Sequence, residues 1–135
     1  MVGIMIIAHG GLAESLIASA THMLGSQPER LLGLSVTGSA QTEAALEQAR
    51  ALALSIDDGS GVIVLTDMVG GTPANIATHL VRAGSIEGVA GVNLPMLMRT
   101  LTYRCNPLAT VVAKAVSGGT ECVATLDRGE HRAAG

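Results

Sequence analysis

Short apolar runs and longer stretches with helical spacing alternate along almost the whole chain. Short apolar runs are typical of strands that are buried on both faces of a sheet. The stretches between them repeat apolar residues every three or four positions, as amphipathic helices do. The pattern predicts strands at about residues 2–8, 31–36, 62–65, 88–92 and 121–126. It predicts helices at residues 11–24, 39–56, 72–84, 93–103 and 106–119.

The ends of three of these helices carry recognisable capping residues. Ser39 is predicted to cap the second helix, with Glu43 in its first turn, where the helix dipole favours a negative charge. Thr72 and Pro73 are interpreted as the N-cap and first residue of the third helix, a position that suits proline. Gly25 is predicted to end the first helix.

Strands that alternate with helices predict an α/β fold with a parallel sheet and right-handed crossovers. The commonest small arrangement is the doubly wound sheet with strand order 2-1-3-4, flanked by helices on both faces. A chain of 135 residues is long enough for one such domain. We expect the domain to cover residues 1–126, with residues 127–135 as a loose C-terminal tail.

The candidate chemistry lies where two of the predicted strands end. His9 follows the first strand and Asp67 follows the third, and these two strands are neighbours in the order 2-1-3-4. Because the carboxyl ends of parallel strands meet at one edge of the sheet, we expect the imidazole and the carboxylate to lie together. A carboxylate that accepts from one ring N–H fixes the tautomer and stabilises positive charge on the ring.

Glycine-rich turns flank both candidate residues. Gly10 and Gly11 precede the first helix, and Gly70, Gly71 and Thr72 open the third. Backbone N–H groups at helix N-termini favour phosphate, and a threonine hydroxyl adds one more donor. The set indicates phosphoryl transfer onto and off a histidine. Spacing alone leaves a structural role open, since a Gly-Gly pair also suits a tight turn and threonine also suits a helix cap.

Composition narrows the choice of ligands and partners. Only 1% of the residues are aromatic and Tyr103 is the single tyrosine, which argues against flavin or single-stranded nucleic acid bound by stacking. The net charge of −3 gives no basic surface for nucleic acid. Cys105 and Cys122 have no metal-ligand spacing, so we expect reduced thiols and no metal. The N-terminal apolar run is too short for a signal sequence or a membrane span, which favours a cytoplasmic protein.

Three segments resemble one known family. They are IAHGGLAESL at residues 7–16, TDMVGGTPAN at residues 66–75 and GVNLPML at residues 91–97. In this order they resemble the signatures of the mannose-family IIA component of the bacterial phosphotransferase system, and the similarity spans residues 1–126. The chain departs from the family at Ala8, where a hydroxyl residue is frequent, and at Met68 and Val69, where an aromatic residue is frequent.

The resemblance implies a phosphocarrier that uses no cofactor. His9 would accept the phosphoryl group from the carrier protein HPr and pass it to a IIB domain for sugar uptake. Asp67 would orient the imidazole and the hydroxyl of Thr72 would contact the phosphate. It also implies a homodimer that exchanges the C-terminal strand at residues 121–126, and peripheral association with a membrane transporter. Because Ala8 lacks a hydroxyl, phosphate binding would depend more on the backbone N–H groups.

Two alternatives remain open from the sequence. One is a regulatory IIA protein that senses phosphorylation state without a transporter. The other is a flavodoxin-like domain that binds a small ligand, against which the lack of aromatic residues argues. A nucleotide-binding enzyme has less support, because neither GxxxxGK nor GxGxxG is present.

Five further residues near the predicted site or on the fourth helix carry weaker predictions. Asn93 is expected to tie loops of the crevice together by hydrogen bonds. Met96 and Met98 are expected to fill the core, with a docking rim as the alternative. Arg99 and Arg104 are expected on a solvated helix face, with a phosphate or an acidic partner as the alternative.

Overall fold

The computed structural model of the protein describes residues 1–37 and 42–129. The strands in this part of the chain are β1 (Gly3–His9), β2 (Leu31–Val36), β3 (Val62–Thr66) and β4 (Ile86–Ala90). The helices are α1 (Leu12–Leu24), α2 (Thr42–Ser55), α3 (Thr72–Leu80), α4 (Leu94–Tyr103) and α5 (Leu108–Glu121). Among these helices none is long and apolar enough to cross a membrane.

The four strands form one parallel sheet in the order β2-β1-β3-β4, which confirms the predicted doubly wound arrangement. In the register of β1 and β3, Ile7 lies opposite Thr66. His9 comes two residues after Ile7, and Asp67 comes one residue after Thr66. Both side chains therefore emerge at the carboxyl edge of the sheet from its two central strands.

The core consists of two apolar layers, one on each face of the sheet. Alternate residues of β1 divide between the layers, as the strand period of two requires: Ile4 and Ile6 pack with α1, α4 and α5, whereas Met5 and Ile7 pack with α2 and α3. All four of these side chains are fully buried. Each contributes about 1.5–3 kcal/mol by leaving water, so the central strands are firmly held beneath the site.

The prediction for the end of the chain was partly wrong. Helix α5 runs through Glu121, where the fifth strand was expected to begin, and residues 123–127 pair with no strand of the described chain. Gly118 and Gly119 do not end the helix but lie within it, where the absence of side chains lets α5 pack closely against α4. A Cβ on Gly118 would lie 2.8 Å from Cβ of Arg99, and one on Gly119 would lie 2.6 Å from the methyl group of Met96. Strand exchange needs a second chain and stays a prediction.

Smaller corrections concern the third helix and the fourth strand. Gly71, with an extended backbone at φ −102° and ψ 173°, is the N-cap of α3, so Thr72 is the first helical residue and not the cap. The helix ends at Leu80, before the predicted end at residue 84. The chain then turns, with a bridge between Arg82 and Ile86, and β4 begins at Ile86, two residues before the predicted start. The predicted cap at Ser39 and the tail beyond residue 129 lie outside the described residues.

Arg104 occupies the amino end of the sheet, where it is buried and not solvated as expected. Its guanidinium donates from Nε and Nη2 to the carbonyl of Val2, from Nη1 to Glu29 and from Nη2 to Arg30, at 2.7–3.0 Å. Burial lowers the pKa of Arg104 below its ordinary value. The side chain joins the entry to β1 with the turn that precedes β2.

Candidate functional site

His9 is the last residue of β1, and its ring is held from one side. Nδ1 lies 2.8 Å from Oδ2 of Asp67, and the backbone N–H of His9 donates to the same oxygen at 3.0 Å. The His9 side chain is 51% exposed, whereas that of Asp67 is 12% exposed. The carboxylate of Asp67 is thus a largely buried hydrogen-bond acceptor, and the imidazole of His9 is the group that faces solvent.

Asp67 is ionised because its hydrogen bonds outweigh its burial. Burial raises its pKa, but the backbone N–H and the ring of His9 and the backbone N–H of Met68 together hold the pKa below its ordinary value. A carboxylate only accepts hydrogen bonds, so Nδ1 of His9 must carry the proton. In the neutral imidazole Nε2 is then the ring nitrogen with a free lone pair.

The Gly10–Gly11 turn lies beside the imidazole at the start of α1. Gly10 has φ +54°, a conformation that favours glycine, and its N–H donates to the carbonyl of Val36 on β2. The hydroxyl of Ser35 lies 2.6 Å from both the carbonyl of Gly10 and Oε1 of Glu14. These contacts fix the turn to the edge strand.

The second glycine turn opens α3 and also lies next to the ring. Gly70 has φ +94° and Gly71 caps the helix, whose first internal bond runs from Asn75 N–H to Gly71 O at 3.0 Å. The first N–H groups of a helix have no partner within it, and they carry the positive end of the helix dipole. Within the described chain the hydroxyl of Thr72 donates no hydrogen bond, so it is available to a ligand at this point.

The structure therefore brings all seven predicted site residues to one edge of the sheet. They are His9, Asp67, Gly10, Gly11, Gly70, Gly71 and Thr72. The arrangement places the exposed imidazole of His9 close to the turns that open α1 and α3, and the N-termini of helices suit an anion. In residues 1–37 and 42–129 no three His, Cys, Asp or Glu side chains form a cluster that could hold a metal ion.

Other predicted residues lie elsewhere. Asn93 accepts from Met96 N–H as the N-cap of α4 and donates to Gly119 O, so it ties α4 to α5. Arg99 bonds Ser117 and Glu121 on α5. Met96 is buried in the core, as expected.

Sequence reasoning missed Ser35 and Glu14, which hold the Gly10 turn. The only sequence signal for Ser35 was a hydroxyl near the end of an apolar strand.

Comparison with known proteins identifies the family. The sequence model of the EIIA-man family, described as "PTS system fructose IIA component", matches residues 3–117. The chain belongs to this family. It is a mannose-family IIA component of the bacterial phosphotransferase system, as the sequence segments indicated.

Individual relatives agree with this assignment. The "PTS system mannose-specific EIIAB component" of Escherichia coli (strain K12) is 35% identical over 128 residues, which are 93% of this chain and 39% of that protein. The chain therefore spans about two fifths of the length of this curated relative.

Two solved structures share the fold. The phosphotransferase system component EIIA from Streptococcus agalactiae has a TM-score of 0.81 at 25% identity, covering 93% of this chain and 97% of that one. The mannose/sorbose specific IIA subunit from Enterococcus faecalis has a TM-score of 0.82 at 24% identity, covering 97% and 98%.

Proposed function

We propose that this IIA protein is a cytoplasmic phosphocarrier that accepts a phosphoryl group on His9 from phosphorylated HPr. It then donates the group to a IIB domain in a mannose-family sugar uptake system. The observation that carries the proposal is the 2.8 Å hydrogen bond from His9 Nδ1 to Asp67, made by a ring that stays half exposed. The bond leaves Nε2 as a neutral nucleophile that a carrier protein can reach.

The transfer follows from this tautomer. The lone pair of Nε2 attacks the phosphorus of the donor phosphohistidine, and a new N–P bond forms as the donor N–P bond breaks. The electron pair of the broken bond returns to the donor imidazole. Asp67 stays ionised throughout and stabilises the positive charge that develops on the His9 ring. The same steps in the opposite sense pass the group to the IIB acceptor.

The two glycine turns supply the phosphate-binding groups. Backbone N–H groups of Gly11, Gly70 and Gly71 and the hydroxyl of Thr72 would hold the phosphoryl oxygens at the helix N-termini. Gly10 was also expected to bind phosphate, but its N–H donates to the carbonyl of Val36, so its part would be to shape the turn. Positioning and electrostatics of this kind supply most of the catalysis in phosphoryl transfer. No cofactor enters the reaction, because the donor is already a phosphorylated protein.

Apolar side chains around the site support a protein as the transfer partner. Leu12 is 39% exposed, Met68 57% and Val69 79%, and all three are close in sequence to His9 or Asp67. Exposed apolar groups next to a reactive residue are typical of a docking surface. We infer that HPr and IIB cover these residues in turn.

The homodimer remains part of the proposal. Cavities of about 160 and 430 Å³ lie beside β4, one lined by residues of α3 and one by residues of α5. Val123 and Leu126 are 77% and 92% exposed in the single chain. An exchanged C-terminal segment that pairs with the open edge of β4 would bury both apolar side chains and both cavities.

Transfer of label from HPr tests the proposal directly. The protein is incubated with radiolabelled phospho-HPr, and the labelled residue is mapped by mass spectrometry at alkaline pH, where phosphohistidine survives. We expect one label on His9, which a IIB protein then removes. Label on His22 or His79, or no label, would contradict the proposal.

A further inference from the structure

Gly70 and Gly71 are adjacent, but the structure requires glycine at each for a different reason. Gly70 has φ +94° and open space where a Cβ would lie, so its backbone conformation demands glycine. Gly71 has φ −102°, which any residue adopts. A Cβ on Gly71, however, would lie 2.8 Å from Cε1 and 3.2 Å from Nε2 of His9. The imidazole thus rests against the backbone at the start of α3, in the space that a side chain would occupy.

We propose that Gly71 is a positioning residue for phosphoryl transfer, and that its missing Cβ sets where Nε2 of His9 stands relative to the N-terminus of α3. The inference rests on the proposed function of His9. It assigns Gly71 a role beyond the backbone N–H that any residue would provide there.

A methyl group at residue 71 is accommodated by movement of the half-exposed His9 ring and not of the backbone. On one side Asp67 Oδ2 holds both Nδ1 and the backbone N–H of His9. On the other side Cδ of Pro73 lies 3.5 Å from the position of the added Cβ, and the proline ring fixes its own backbone angle in the first turn of α3. A side chain at residue 71 must therefore push the imidazole away from α3 by several tenths of an ångström.

Such a displacement acts on the chemical step and not on docking. Misplacement of a reacting group by about 1 Å costs about 10²-fold in rate. The exposed apolar residues Leu12, Met68 and Val69 are unchanged by a methyl group on Gly71. A shift of several tenths of an ångström costs less, so we expect Gly71→Ala to lower the rate constant of His9 phosphorylation by about 10-fold and to leave the KM for phospho-HPr nearly unchanged.

Gly88→Ala is the matched control. Gly88 lies in β4, and its added Cβ would be 3.5 Å from Val81 Cγ2, an ordinary contact distance. Both variants receive one methyl group at a glycine whose backbone any residue can adopt. Thermal unfolding of both proteins confirms that each is folded before rates are compared.

Nuclear magnetic resonance of the ring separates positioning from a loss of fold. In the wild-type protein we expect a nuclear Overhauser effect between Hε1 of His9 and the Hα atoms of Gly71. In Gly71→Ala we expect shifted His9 ring ¹⁵N resonances, with no such shift in Gly88→Ala. Absence of the wild-type contact, or equal transfer rates for the two variants, would overturn the role of Gly71 and leave the phosphocarrier function standing. A wild-type protein without label on His9 would instead overturn the proposed function itself.

Discussion

The two ends of the sheet use a hydrogen-bonded charged group in opposite ways. At the carboxyl end, Asp67 holds His9, a residue 58 positions away in sequence. At the amino end, Arg104 holds the carbonyl of Val2, 102 positions away. Both contacts join distant segments of the chain. The difference is that Arg104 is 6% exposed, whereas the side chain of His9 is 51% exposed.

The contrast lies in which partners the guanidinium of Arg104 and the imidazole of His9 bond. The guanidinium of Arg104 gives its bonds to carbonyls of the protein itself, so the group stabilises the fold and offers little to a partner. The imidazole of His9 gives one nitrogen to Asp67 and keeps the other for solvent. Substitutions at the carboxyl end should therefore change the rate of transfer, and substitutions at the amino end should change stability.

The largest effect is expected for His9→Ala, which removes the phosphoryl acceptor. Transfer from phospho-HPr should fall below detection. The backbone N–H of His9 still bonds Asp67 in this variant, so no buried carboxylate is left without a partner, and the free energy of unfolding should change by no more than about 0.5 kcal/mol. Label transfer and urea unfolding measure the two quantities. His22→Ala, on the exposed face of α1, is the control and should keep full activity.

Asp67→Ala should have the next largest effect on rate. Without the carboxylate the ring loses both its preferred tautomer and its support for positive charge, and loss of a carboxylate that orients a reactive histidine costs up to about 10⁴-fold. Single-turnover transfer from phospho-HPr measures the loss. Asp58→Ala removes a carboxylate from a loop before β3 and should leave the rate unchanged. An undiminished rate in Asp67→Ala would remove Asp67 from the mechanism.

At the opposite end, Arg104→Ala should destabilise the fold by about 3 kcal/mol, because the carbonyls of Val2, Glu29 and Arg30 lose a buried donor. Transfer per folded molecule should stay near that of the wild-type protein. Arg99→Ala is the control, since Arg99 bonds partners on the surface of α5 and should cost about 0.5 kcal/mol. If Arg104→Ala were as stable as the wild-type protein but slow in transfer, the amino end of the sheet would serve transfer and not stability, contrary to this expectation.

The same comparison shows which contacts a sequence can predict. Apolar runs that alternate with amphipathic stretches predicted the strand order, and that order alone brought His9 and Asp67 to one edge. Each residue directly follows or ends a buried strand, so its position depends on the fold class and not on side-chain detail.

The role of Arg104 had no comparable signal. Its acceptors are backbone carbonyls, which every residue possesses, and a basic residue after a helix is most often solvated. The sequence also carried no signal for the packing roles of Gly71 and Gly118. A glycine that leaves space for the side chain of His9 or Arg99 cannot be told apart, in the sequence, from a glycine that permits a turn. The end of α5 was missed because Gly118 and Gly119 serve packing between helices, although glycine pairs usually interrupt them.

The smallest effect concerns acid stability at the carboxyl end. The folded protein holds the pKa of Asp67 below its ordinary value of 3.8. Ionised Asp67 thus contributes stability that is present above about pH 4 and is lost as the pH falls through the lower folded value. Urea unfolding of wild-type protein and Asp67→Asn between pH 6 and 2.5 should show the wild type losing stability more steeply below pH 4.

The paired measurement isolates Asp67 from other acids. Hydrogen bonds from the amino group of Met1 and from Ser60 also hold the pKa of Asp58 low, but Asp58 is present in both proteins and its contribution cancels. The difference between the two unfolding free energies should therefore narrow as Asp67 becomes protonated. Two curves that remain parallel down to pH 2.5 would mean that folding does not favour the ionised form of Asp67. The carboxylate would then have no excess affinity for the ring N–H, and the tautomer that leaves Nε2 free would lose its physical basis.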